Sequence, residues 1–145
     1  MDDQRAREKA DAILDAWNRR DYDGVASHLT SDVMLVDHTR ARTSTGPDGY
    51  VARFRRLLDA FPDMRCENVS VLVERGLLVQ ETIWRGRHTA PLVLPGYDNV
   101  APTNELMAKH FVTYMEFDDE GKVKALRTYG DPAEVPLSAQ PVGVG

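Results

Sequence analysis

The chain has 145 residues, 42% apolar and 28% charged, with a net charge of −5 from 18 basic and 23 acidic side chains. That composition suits one soluble domain with a single core, and it argues against nucleic acid, which rewards clustered Lys and Arg. The one cysteine, Cys66, excludes an internal disulfide, and His28, His38, His88 and His110 have no zinc-ligand spacing with it or with one another.

In chain order, a first helix is expected from about Asp3 to Arg20. Ala10, Ile13, Leu14 and Trp17 fall at i, i+3, i+4 and i+7, one apolar stripe, and Asp2 and Asp3 suit the positive end of its dipole. A short helix over about Tyr22–Leu29 follows. SDVMLVD (31–37) then reads as a strand. The Arg pairs at 19–20 and 55–56 read as solvated helix faces. This N-terminal segment has no apolar leader, and nothing in the chain approaches the ~20 apolar residues of a membrane span. A cytoplasmic, membrane-free protein is expected, so the sequon-like N68-V-S70 carries no meaning.

TSTGPDGY (43–50) reads as a helix start, because Pro47 fits the first helical position, where an N–H would go unused. Tyr50, Val51, Phe54, Leu57, Leu58 and Phe61 share one face, and Pro62 stops the helix. Beyond Pro62 the period changes to alternation. MRCENVSVLVERG turns at Glu74-Arg75-Gly76 and returns as LLVQETIWRGRHTA. A Pro/Gly-rich connection spans 91–103. ELMAKHFVTYMEFD (105–118) turns at Asp118–Gly121 into KVKALRTYGD (122–131). Helices followed by long consecutive strands give an α+β order. One domain over residues 1–132 and a loose tail over 133–145 are expected.

Side chains alternate along a strand. Thr82, Trp84, Gly86 and His88 therefore share the more buried face, and Glu81, Ile83, Arg85 and Arg87 the more exposed one. Gly86 is the position where a bulge could exchange the faces. On the next strand Phe111, Thr113, Met115 and Phe117 oppose His110, Val112, Tyr114 and Glu116. On the last, Leu126 and Thr128 oppose Ala125, Arg127 and Tyr129. Faces that mix apolar and polar residues suit either a pocket lining or an oligomer interface.

The order and spacing of AWNRRDYDGVASHLTSDV, TGPDGYVARFRRLLDAFPD, a W-x-G-x-H strand and HFVTYMEFDDEGKVKALRTYGD resemble the SnoaL-like branch of the nuclear transport factor 2-like superfamily, over roughly residues 5–132. The resemblance implies a cone of about three helices packed into a curved antiparallel sheet, enclosing a deep pocket. It also implies dimerisation through the sheet and acid/base chemistry in an apolar cavity without metal or organic cofactor. Members include polyketide cyclases, dehydratases, isomerases, epoxide-opening enzymes and binding domains without catalysis. The acid/base pair of the founding cyclase corresponds to Thr128 and Thr113 here. A hydroxyl cannot replace a carboxylate as base, so that mechanism does not carry over intact. His88, Asp131 and Arg127 match.

The site expected on these grounds has Asp37 and His88 as acid/base pair, with His110, Tyr129 and Asp131 as further candidates. Asp37 could instead cap the turn after its strand, and His88 could be a satisfied structural histidine. Trp84, Phe54, Phe111, Thr113, Tyr114, Arg127 and Thr128 are the candidate lining. The ligand expected is a small apolar oxygenated molecule, polyketide- or terpenoid-like, bound by a homodimer with no cofactor. The rival expectation is a non-catalytic binding or dimerisation domain. An enzyme predicts Asp37 and His88 pointing into one cavity, a binding module an apolar cavity with at most one ionisable group, and a pure interaction protein a cavity filled by its own side chains.

Overall fold

The computed structural model describes residues 1–39, 41–93 and 99–130. Asp131 and the tail over 133–145 lie outside them, so neither that candidate nor the domain's C-terminal limit is placed.

Helix α1 (Asp3–Asn18) starts where the Asp2 carboxylate accepts from the Arg5 N–H at 2.7 Å, satisfying one of the helix's orphan donors. It buries Ala6, Ala10, Ile13 and Trp17. The Arg pair at its end is split. Arg19 is exposed beside Asp15. Arg20, in the left-handed region at φ 58, donates to the carbonyls of Trp17, Pro62 and Met64. It therefore ties α1 to the segment after α3, rather than lying on a solvated face. Helix α2 (Tyr22–Ser27) is a single capped turn and a half. Helix α3 (Pro47–Ala60) begins at Pro47, as its missing N–H predicts, and Gly46 before it takes φ 91.

Among the described residues, six strands form one open sheet, curved over the helices, in the order β2-β1-β6-β5-β4-β3. They are β1 (Leu29–Asp37), β2 (Arg42–Thr45), β3 (Arg65–Glu74), β4 (Leu77–Arg87), β5 (Leu106–Phe117) and β6 (Val123–Gly130). Two features differ from the sequence expectation. Residues 42–45 form a short edge strand paired with β1 before the helix begins. And β1 pairs with β6 in parallel, the rest being antiparallel. A parallel neighbour needs a long crossover, and here the whole intervening chain supplies it. No described helix is long and apolar enough to cross a membrane.

The β4–β5 register runs unbroken from Leu77↔Glu116 to Arg87↔Leu106, so Gly86 marks no bulge. It is there for close approach: a Cβ at Gly86 would lie 2.9 Å from the Cα and Cβ of Met64. The concave face of β4 and β5 therefore carries Leu78, Gln80, Thr82, Trp84, Phe111, Thr113 and Met115, all buried.

Between this face and the helices sits a chain of aromatic rings. Trp17 of α1 contacts Tyr50 and Phe54 of α3 at centroid distances of 5.6 and 5.5 Å, and Trp84 of β4 at 6.0 Å. Phe54 reaches Phe111 of β5 at 5.6 Å.

Candidate functional site

Four polar residues cross the concave face in one register row. Asp37 pairs with Thr128, Thr128 with Thr113, and Thr113 with Gln80. All four are buried, Asp37 at 1% and Thr128 at 0% exposure. A buried polar row in a sheet face needs partners. Asp37 finds three. Its carboxylate pairs with the Arg53 guanidinium and accepts from the Thr39 N–H at 3.0 Å. The Thr128 hydroxyl donates to it across 3.5 Å. The turn-capping role expected of a strand-end Asp is thus present, and a buried ion pair is added to it.

Arg53 reaches this carboxylate because it shares a helix face with Tyr50 and Leu57, at i−3 and i+4. Its guanidinium also lies 5.3 Å from the Phe54 ring. Burial lowers the pKa of Arg53 to about 10, which leaves it a cation at neutral pH. The arrangement is a carboxylate and a guanidinium side by side at the edge of an aromatic interior.

Next to Thr113 and Gln80 the row opens on a narrow cavity of only about 10 Å³. Its walls are Trp17, Tyr50, Phe54, Trp84 and Phe111, with Gln80, Thr82 and Thr113 as its polar groups and Ile13, Leu14 and Met115 completing it. The Trp84 indole N–H donates to Thr82 Oγ1 at 3.0 Å. Burial raises the pKa of the Tyr50 hydroxyl, opposed by the nearby Trp17 N–H. That N–H makes no well-formed hydrogen bond of its own. Tyr50 is the one ionisable group among these walls.

His88 is fully buried on the same sheet face but elsewhere. Its ring stacks on Phe61 at 5.0 Å. Its Nδ1 accepts from the Thr103 backbone N–H at 3.2 Å and lies 3.0 Å from the Thr103 hydroxyl. An Nδ1 that accepts leaves the proton on Nε2 in the neutral ring, and among the described residues Nε2 has no partner. No hydrogen bond or ring contact joins His88 to Asp37, and neither lines the cavity. β6 and β5 stand between their strands.

His110, Tyr114, Arg127 and Tyr129 lie on the outer face. Tyr129 stacks on His38 at 4.3 Å and meets Tyr114 at 5.8 Å. Arg127 lies over Tyr114 and pairs with Glu116 at 3.2 Å. Of the candidate lining, Trp84, Phe54, Phe111 and Thr113 are at the cavity, and Thr128 is one strand from it.

Three residues of the concave side were not singled out in the sequence: Arg53, Gln80 and Lys109, the last 5% exposed and opposite Trp84. Alternation already carried the signal for two of them. Gln80 has the parity of Trp84, and Lys109 that of Phe111.

The family model described as SnoaL-like polyketide cyclase matches residues 8–137. No curated protein matches the sequence significantly. Among solved structures, a candidate SnoaL-like polyketide cyclase from Jannaschia sp. CCS1 is similar at a TM-score of 0.78 and 21% identity, over 95% of this chain and 94% of that one. IdmH, a candidate polyketide cyclase from Streptomyces antibioticus, gives 0.74 and 15%, over 89% and 94%. An epoxide hydrolase of the LEH-like kind from M. tuberculosis gives 0.65 and 15%, over 90% and 86%. At these identities the likeness is one of fold.

Proposed function

The chain belongs to the SnoaL-like polyketide cyclase family, and on that premise we propose that it binds a small apolar oxygenated molecule against its aromatic interior and moves a proton on it. The observation that carries this reading is the buried Asp37–Arg53 pair, in register with Thr128, Thr113 and Gln80 on the concave face. Asp37 acts as the base. It accepts a proton from carbon beside a carbonyl, or from water or a hydroxyl. The Arg53 fork has five N–H donors, more than one carboxylate oxygen engages, and it stabilises the oxyanion that forms when the proton leaves. This chemistry needs no cofactor. Cyclisation, isomerisation, dehydration and epoxide opening all use such a proton transfer. His88, held between Phe61 and Thr103, fixes the chain over residues 103–105 rather than sharing a proton with Asp37.

A probe ketone tests this. With 1-tetralone in D2O, the wild-type protein exchanges the protons next to the carbonyl, and Asp37→Asn binds the ketone without exchanging them. Binding without exchange in the wild type would support the second reading, a binding domain without catalysis. A specific observation favours that reading: the cavity walls hold one ionisable group, Tyr50, and little free volume.

The protein is proposed to act as a cytoplasmic homodimer. The outer sheet face exposes Met34, Leu72 and Tyr129 at 50%, 70% and 41%, apolar groups that a partner copy would cover. Light scattering of wild type and Leu72→Glu gives the state in solution.

A further inference from the structure

We infer that Gln80 and Trp17 form a recognition point for a ligand hydroxyl in the aromatic cavity. The inference rests on the reading that this cavity takes a small oxygenated molecule, and it says which oxygen function is read and where. Gln80 is 6% exposed and Trp17 1%, and both side chains line the cavity. Among the described residues Gln80 Oε1 and Trp17 Nε1 make no well-formed hydrogen bond, the indole N–H having only the Tyr50 hydroxyl near it. Buried groups of this kind are nearly always paired. The contrast within the same cavity is informative, because Trp84 is satisfied internally by Thr82.

The two orphans are complementary: one accepts and one donates. A single hydroxyl completes both, accepting from the indole N–H while donating to the amide oxygen. A carbonyl or an ether can answer only the indole. The size agrees, since about 10 Å³ is close to the least volume that holds one water-sized group. A hydroxyl fits that volume as it stands; the ring bearing it enters only as Phe54, Trp84 and Phe111, whose centroids lie 5.2–6.0 Å apart, move aside. Gln80 stands three strands from Asp37 along the polar row, about 14 Å measured along the sheet. The hydroxyl is therefore a remote handle for binding and orientation, not the group transformed.

The test is a 19F NMR titration with 4-fluorophenol and 4-fluoroanisole, which share ring and size class but differ in the ability to donate. Wild type is expected to bind the phenol at least tenfold tighter. Gln80→Leu abolishes the preference and leaves the anisole within twofold. Trp17→Phe weakens both probes, because either oxygen uses the indole donor. Gln80→Met serves where Leu disturbs packing. Equal affinities in wild type, as when a tightly held water keeps both orphans satisfied, overturn the proposal. So does a preference that survives in Gln80→Leu and Gln80→Met. The exchange assay on 1-tetralone separates the two claims. Lost preference with intact, Asp37-dependent exchange removes the recognition point alone. Preference as expected without exchange removes the catalytic reading alone.

Discussion

The Asp37 carboxylate, at the end of β1, meets the Arg53 guanidinium of α3, with Asp37 1% and Arg53 20% exposed as side chains. One strand end and one helix face are thereby tied together by opposite charges, the carboxylate out of water and the guanidinium mostly so. Such a pair contributes little net stability but is costly to break, since the survivor is left buried and uncompensated.

Arg53→Met is therefore expected to lower unfolding stability by about 3 kcal/mol. Asp37→Asn added to it restores much of the loss, because the stranded carboxylate is gone. Urea unfolding of both single variants and the double variant gives the coupling directly. Additive losses would mean that the contact is not energetically real.

Gly86→Ala places a methyl 2.9 Å from the backbone of Met64. Backbone cannot move aside as a flexible side chain can, so a loss of about 1–3 kcal/mol is expected, read as a lower thermal midpoint with an unchanged fold. An unaltered midpoint would show that the segment after α3 is free to shift away from β4.

Burial pushes the Cys66 thiol up to about 12. Between pH 9 and about 12 the unfolded thiol gives up its proton and the folded one keeps it. The folded state then binds more protons, so stability falls as pH rises. Tyr50, also raised by burial, adds to the fall above pH 10. On the acid side, burial lowers the pKa of His28. The unfolded imidazole takes a proton first, and stability falls as pH drops below 6.5. Thermal midpoints across pH 5–11 should show both limbs, with Cys66→Ala flattening the alkaline one. The same burial makes Cys66 inert to a disulfide reagent at pH 8 until the protein unfolds.

Arg20→Ala removes the donors to the Trp17, Pro62 and Met64 carbonyls and leaves them half-buried. A loss of about 1.5–3 kcal/mol is expected. Faster amide exchange at residues 64–66 is the local sign that α1 has come away from the start of β3.

Much of the fold could be read from periodicity. The stripe Ala10, Ile13, Trp17 became the buried face of α1, and the parity of Trp84, His88, Phe111, Thr113 and Thr128 came out as counted, because β4 runs without a bulge. What alternation cannot give is which strands become neighbours. The order β2-β1-β6-β5-β4-β3 depends on the parallel joining of β1 to β6, a long-range pairing with no local signature. Asp37 and His88 each face the concave side, so a face count puts them together; the strand order sets β6 and β5 between them. Arg53 was hidden for a different reason. A charged residue beside Arg55 and Arg56 reads as solvated unless its i−3 and i+4 neighbours, Tyr50 and Leu57, are counted with it.

In the proposed reaction Asp37 takes a proton from a bound ligand. The most direct measurement is the rate of deuterium exchange next to the carbonyl of 1-tetralone, for wild type and Asp37→Asn, at a ketone concentration that saturates both. A positioned general base contributes about 10²–10⁴-fold. A drop of that size with ketone binding retained is the predicted result. Equal exchange rates in the two proteins, or a wild-type rate no faster than that in buffer, would contradict the claim.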